Sequence, residues 1–175
     1  MTVPDKSEAP PVIALAGRRN VGHAEDRMRD FFKTPIRALV CAAASGADLL
    51  ALDIAGKGRI RRRILLPFGK TLFRETSVED PDKRWLEPYD RIIAEVEQAH
   101  DLVVLGFDEK DPAAYSKTNT AILEEARRLA KQENTKVCAV VVWDGESRGP
   151  EDFTADFLDQ AHARNMTVTE IKTLL

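Results

Sequence analysis

The chain has 175 residues, 26 basic and 29 acidic side chains, and a formal net charge of −3. Hydrophobic residues make up 43% and charged ones 31%, which excludes wholesale disorder. A chain of this length suits one globular domain and buries roughly 70% of its unfolded surface, so it needs no disulfide or metal staples. The longest apolar runs, 102–105 and 137–143, are far too short to span a bilayer, so no membrane partner is expected. Residues 1–11 carry Asp5, Lys6 and Glu8 and no apolar segment, and read as a polar lead-in rather than a signal peptide; residues 12–175 form the expected domain. The slight acidity disfavours a dedicated nucleic-acid coat, which would carry a broad basic face, but leaves room for a local phosphate site.

Six short apolar, often β-branched runs read as strands: 12–16, 38–43, 64–67, 101–105, 137–143 and 167–171. Most are continuous rather than alternating, as in a parallel sheet covered on both faces. Amphipathic stretches lie between them at 26–33, 48–55, 86–98, 119–131 and 153–163. Strands alternating with helices predict an α/β fold: a doubly wound, mainly parallel, Rossmann-like sheet of about six strands flanked by helices. Residues 69–83, which include Arg74, Thr76 and Ser77, show no clear periodicity and read as a long, functional loop. Cys41 and Cys138 sit inside apolar runs without C-x-x-C spacing, as reduced core residues of a cytoplasmic protein. No metal-ligand spacing appears among the three His and two Cys, and no cofactor is expected.

Ligands of open α/β sheets bind beyond the carboxyl ends of the strands, near the switch in strand order. Gly17, Arg18, Arg19 and Asn20 follow the first strand. There glycine admits close backbone approach, and arginine suits phosphate or a base; a plain turn with solvated arginines is the alternative. Ser45, Gly46, Ala47 and Asp48 open the next helix, where exposed N–H groups suit an anion or a ribose hydroxyl, although Ser45 and Asp48 also have capping-box spacing. Tyr115 and Asn119, four apart, could offer a nucleobase a stacking ring and an amide, or could simply pack and cap. Trp85 and Trp143 read as packing residues. The cluster Lys57, Arg59, Arg61, Arg62 and Arg63 precedes the third strand, at the opposite end of the sheet, and reads as a solvated turn with a polyanion patch as the alternative.

Taken together, Ala16-Gly17-Arg18-Arg19, the run from Ala44 to Ala51, Leu66-Pro67-Phe68, Tyr115 with Asn119, Val142-Trp143-Asp144-Gly145, and Gly149 with Thr154 resemble the SLOG superfamily over roughly residues 12–172. That superfamily groups Rossmann-like domains related to DNA-processing proteins and the Lonely Guy phosphoribohydrolases. The resemblance implies a site for a nucleotide or nucleotide-derived ligand. Some relatives cleave the N-glycosidic bond of nucleoside monophosphates; others are thought to be ligand sensors. Close look-alikes are bacterial, and homo-oligomers are common among such domains. The hydrolases carry P-G-G-x-G-T-x-x-E, whereas the matching stretch here is Arg148-Gly149-Pro150-Glu151-Asp152-Phe153-Thr154-Ala155-Asp156-Phe157. Pro150 lacks an N–H, Glu151 and Asp152 would repel a phosphate, and the glutamate position falls on Phe157. Asp156 is one residue early, about 100° around a helix.

The expected function is therefore a non-catalytic binding domain for a nucleotide-derived small molecule. Its floor is Gly17, Ser45, Gly46 and Asp48; its cations are Arg18, Arg19 and Arg74; Asn119 faces the ligand; and Asp144, Gly145 and Thr154 form the far wall. The first alternative is a nucleoside 5′-monophosphate hydrolase using Asp156 or Asp48. The second is a DNA-associated or protein-interaction module, supported by the Arg59–Arg63 patch and by analogy of fold.

Overall fold

The structure, a computed structural model, describes residues 9–79 and 82–175. Most of the lead-in expected at residues 1–11, and Asp80 and Pro81 of the expected loop, lie outside the described residues. Six strands form one parallel sheet: β1 (Val12–Gly17), β2 (Ala38–Cys41), β3 (Arg61–Leu66), β4 (Leu102–Val104), β5 (Val137–Trp143) and β6 (Thr167–Lys172). The helices are α1 (Glu25–Phe31), α2 (Ala47–Lys57), α3 (Lys70–Ser77), α4 (Leu86–Gln98), α5 (Ala114–Gln132) and α6 (Phe153–Ala163). This is the expected Rossmann-like α/β architecture.

The strand order is β4-β3-β2-β1-β5-β6. The chain steps outward from β1 to β4, returns through α5 and enters β5 on the other side of β1. Strand alternation then sorts the core into two layers. Ile13, Leu15, Leu39, Ile64, Leu66, Val140 and Val142 face one side, where Met28 of α1, Leu49 and Leu52 of α2, Phe73 of α3 and Ile92 of α4 pack on them. Val12, Ala14, Val40, Leu65, Ala139, Val141 and Trp143 face the other, under Leu123 and Ala126 of α5 and Phe157 and Ala161 of α6. Each large aliphatic side chain buried this way contributes roughly 1.5–3 kcal/mol. Helices leave β1 and β5 on opposite faces, so a crevice opens between the carboxyl ends of these two neighbours.

Three elements differ from the sequence reading. Residues 70–77 are helical rather than loop: α3 is a short, mostly polar helix that buries only Phe73 and Ser77. Helix α5 starts at Ala114, five residues before the expected 119, because Thr118 and Asn119 are polar yet buried. Strand β3 starts at Arg61 rather than Ile64. Its arginines are neutralised there: Arg61 and Arg63 share Asp101, Arg63 also meets Glu125, and Arg62 meets Glu95. With Lys57 bound to Asp53, most of the basic cluster is ion-paired rather than solvated. Cys41 is buried and Cys138 half-buried, both as free thiols. No helix among the described residues is long and apolar enough to cross a membrane.

Candidate functional site

A cleft of about 570 Å³ opens at the β1/β5 switch, within the roughly 300–1,000 Å³ usual for small-molecule sites. Ala16, Ala42 and Ala44 hollow it out at the strand ends, where larger side chains would fill it. Pro67, Phe73, Tyr115 and Phe153 supply an apolar and aromatic wall. The Tyr115 ring lies 5.2 Å from Phe153 and 6.1 Å edge-on to Phe68, and its hydroxyl is 3.0 Å from Ser77 Oγ.

The turn after β1 is fixed by contact with α2. A Cβ on Gly17 would fall 2.5 Å from Ala47 Cβ and 2.7 Å from the Val142 carbonyl oxygen. Glycine therefore lets β1, β5 and the start of α2 converge. Gly46 precedes α2 with φ +89°, and a Cβ there would fall 2.1 Å from the Arg19 carbonyl oxygen. Its close approach is to the protein's own backbone, reinforced by the Ala47 N–H donating to the Arg18 carbonyl at 3.0 Å.

Asp48 lies just inside α2 and lines the cleft, yet its side chain is deeply buried. Its Oδ2 accepts from the Ala44 N–H at 3.2 Å. Among the described residues its Oδ1 has no hydrogen-bond partner, and neither has the buried Ser45 Oγ in the preceding turn. Burial pushes the Asp48 carboxyl up to about 7, only partly offset by the Ala44 N–H. A buried carboxylate oxygen without a donor is destabilising by several kcal/mol unless something meets it.

Arg18 is held by the protein itself. Its guanidinium donates to Asp152 at 2.6 Å, to Asp144 at 3.3 Å and to the Glu146 carbonyl at 2.7 Å, and stacks 5.5 Å over Trp143. Asp152 in turn caps α6: it accepts from the N–H groups of Thr154 and Ala155 at 3.1 Å and from that of Arg148 at 2.8 Å. Burial opposes ionisation of Asp152, but the Arg18 and backbone hydrogen bonds outweigh it and hold the carboxyl down at about 2. Aspartate directly before the apolar run 153–163 is a helix-start signal, so this role was available from the sequence.

The structure places Gly17, Arg18, Arg19, Asp48, Asn119 and Thr154 in the cleft lining. Asn119 donates to the Phe153 carbonyl at 2.8 Å and to Asp156 at 2.9 Å, tying α5 to α6. The remaining expected residues lie outside the lining. Ser45 and Gly46 sit behind it in the turn before α2. Asp144 and Gly145 lie in the turn after β5, with Asp144 also paired to Arg148. Arg74 lies on the outer side of α3, paired with Asp90 at 2.8 Å. Asp156 sits between α5 and α6, where Ser116, Asn119 and Gln160 all donate to it. The lining adds Asn20, Phe73, Ser77, Thr118, Arg148 and Phe153, which the sequence reading did not single out as site residues. No group of three or more His, Cys, Asp or Glu side chains able to hold a metal ion occurs among the described residues.

No family model matches the chain, and no curated protein matches it. Among solved structures, DNA processing protein A (DprA) from Streptococcus pneumoniae aligns with it at 14% identity and a TM-score of 0.44. The alignment covers 92% of this chain and 58% of that one, so this chain spans little more than half the length of that protein.

Proposed function

We propose that the chain is a SLOG-type, non-catalytic binding domain for a nucleotide-derived small molecule, seated in the cleft between the ends of β1 and β5. The observation that carries this reading is Asp48, a residue of the cleft lining whose buried Oδ1 has no hydrogen-bond donor among the described residues. A ribose hydroxyl or a base N–H supplies the missing donor. Tyr115 and Phe153 offer an apolar wall to a base, and Arg19 stands at the rim. The absence of a catalytic step is supported by Asp156, which lies outside the lining behind three donors, and by Asp152, which is committed to Arg18 and the start of α6. The two free thiols fit a reducing, cytoplasmic compartment. Calorimetric titration with nucleosides, nucleoside monophosphates, NAD and ADP-ribose tests the reading. Binding of one member, lost in Asp48→Ala, supports it; a folded protein that binds none overturns it.

One observation favours a second reading, an N-glycosidic hydrolase. A carboxyl titrating near neutrality in a cleft is suited to general acid–base work, and Asp48 is that group. Chromatographic detection of free base after incubation with nucleosides and their 5′-monophosphates decides between the two. Base release abolished by Asp48→Asn establishes the enzyme; no release with retained binding establishes the sensor. Most of the patch around Arg61–Arg63 that supported the DNA-associated alternative is ion-paired, which leaves that alternative resting on the fold.

A further inference from the structure

Helix α6 points its amino end at the cleft, and Asp152, Phe153 and Thr154 all line it. Such an end is an anion site when its first N–H groups are bare. Here those of Thr154 and Ala155 are engaged. The Asp152 carboxylate takes the N–H groups of Thr154, Ala155 and Arg148 together with the Arg18 guanidinium, four donors that would otherwise surround a phosphate. The Asp152 side chain is 1% exposed and the Arg18 side chain 7%, so both are fixed parts of the wall. Around the hollow the cations Arg18, Arg19 and Arg148 are offset by Glu151 and Asp152, with Asp48 ionised only in part. A phosphate entering would meet a resident anion instead of a positive field. Asp48 also lines the cleft, and its Oδ1 has no partner among the described residues.

We infer that Asp152 is a built-in anion occupying the phosphate position, and that the cleft takes an unphosphorylated nucleoside in preference to a nucleotide. This inference rests on the binding-domain reading above and narrows it. The nucleoside's hydroxyl or N–H groups meet Asp48, its base lies against Tyr115 and Phe153, and its 5′ end abuts the Arg18–Asp152 pair without displacing it.

Calorimetry on the full chain compares adenosine, guanosine, cytidine and uridine, each with its own 5′-monophosphate. The expected result is at least tenfold tighter binding of one nucleoside than of its monophosphate. Equal or tighter binding of the monophosphate overturns the inference and leaves the binding-domain reading standing. Binding of neither overturns both. A second measurement tests the anion position itself. Asp152→Ser keeps a helix-capping oxygen but removes the charge and vacates space beside Arg18. Thermal unfolding is followed with and without inorganic phosphate at constant ionic strength. Phosphate is expected to raise the unfolding temperature of Asp152→Ser and not that of the parent; an equal shift in both, or in neither, overturns the assignment.

Discussion

Arg18 and Asp152 meet at 2.6 Å although 134 residues separate them in sequence, and both side chains are buried. The pair fastens the turn after β1 to the start of α6, so it joins the two chain segments that border the cleft. Asp144 and the Glu146 carbonyl complete the guanidinium's partners. An arginine behind a strand-end glycine thus serves as a clamp.

Arg18→Leu is expected to cost about 3–5 kcal/mol, because it leaves the Asp152 charge buried without its cation. Arg18→Lys should recover part of this loss, since one ammonium cannot span Asp152, Asp144 and the Glu146 carbonyl together. Urea unfolding of the three proteins checks both statements. Loss below about 1 kcal/mol for the leucine variant would show that Arg18 is not a clamp.

Asp152 and Asp48 give stability opposite pH dependences. The folded-state pKa of Asp152 is depressed to about 2, so its contribution is present above the unfolded value near 4 and is lost as pH falls toward 2. The folded-state pKa of Asp48 is raised to about 7, so the unfolded chain ionises first. Stability is then full below pH 4 and is lost as pH rises through 7, by an amount on the order of 4 kcal/mol. Asp48→Asn should abolish that loss. The difference in unfolding free energy between parent and Asp48→Asn, measured from pH 4 to 9, is expected to grow in favour of the variant up to pH 7–8 and then level off. A flat difference would show that Asp48 titrates normally.

Gly46→Ala is expected to be severely destabilising. The added methyl meets the Arg19 carbonyl at a distance no Cβ tolerates, and the φ of +89° is itself unfavourable for alanine. Circular-dichroism melting should show a loss above about 3 kcal/mol, or an unfolded product. A variant as stable as the parent would mean that the turn before α2 can move.

Asp156→Ala removes an acceptor shared by Ser116, Asn119 and Gln160. It should cost about 1–3 kcal/mol in stability and leave ligand affinity within a factor of about three. Calorimetry beside denaturant unfolding separates the two effects. A large loss of affinity at unchanged stability would return Asp156 to the site.

Much of the fold is legible in the sequence because strands buried on both faces leave continuous apolar runs. All six strands lie within or overlap such runs, and five of the six α-helices coincide with the amphipathic stretches. The sequence is least legible where polar residues are buried by partners far along the chain. Arg61–Arg63 lie in a strand because Asp101, Glu95 and Glu125 neutralise them. Thr118 and Asn119 extend α5 inward because α6 receives the Asn119 amide. The site follows the same rule. Gly17, Arg19 and Asp48 could be placed from their positions after β1 and β2, since a parallel sheet puts such turns at one end. Whether Arg18 faces a ligand or another side chain depends on Asp152, and no local pattern connects residues so distant.

The central position of β1 bears on how the protein must be made. Val12 pairs with Ala38 on one side and with Val137 on the other. The first partner is translated almost at once, but the second follows roughly ten seconds later at ordinary elongation rates. Throughout that interval the middle of the future sheet is a bare, apolar edge, open to strands of neighbouring nascent chains. The arrangement that brings distant residues together around one cleft therefore also sets the period during which the growing chain most needs a chaperone.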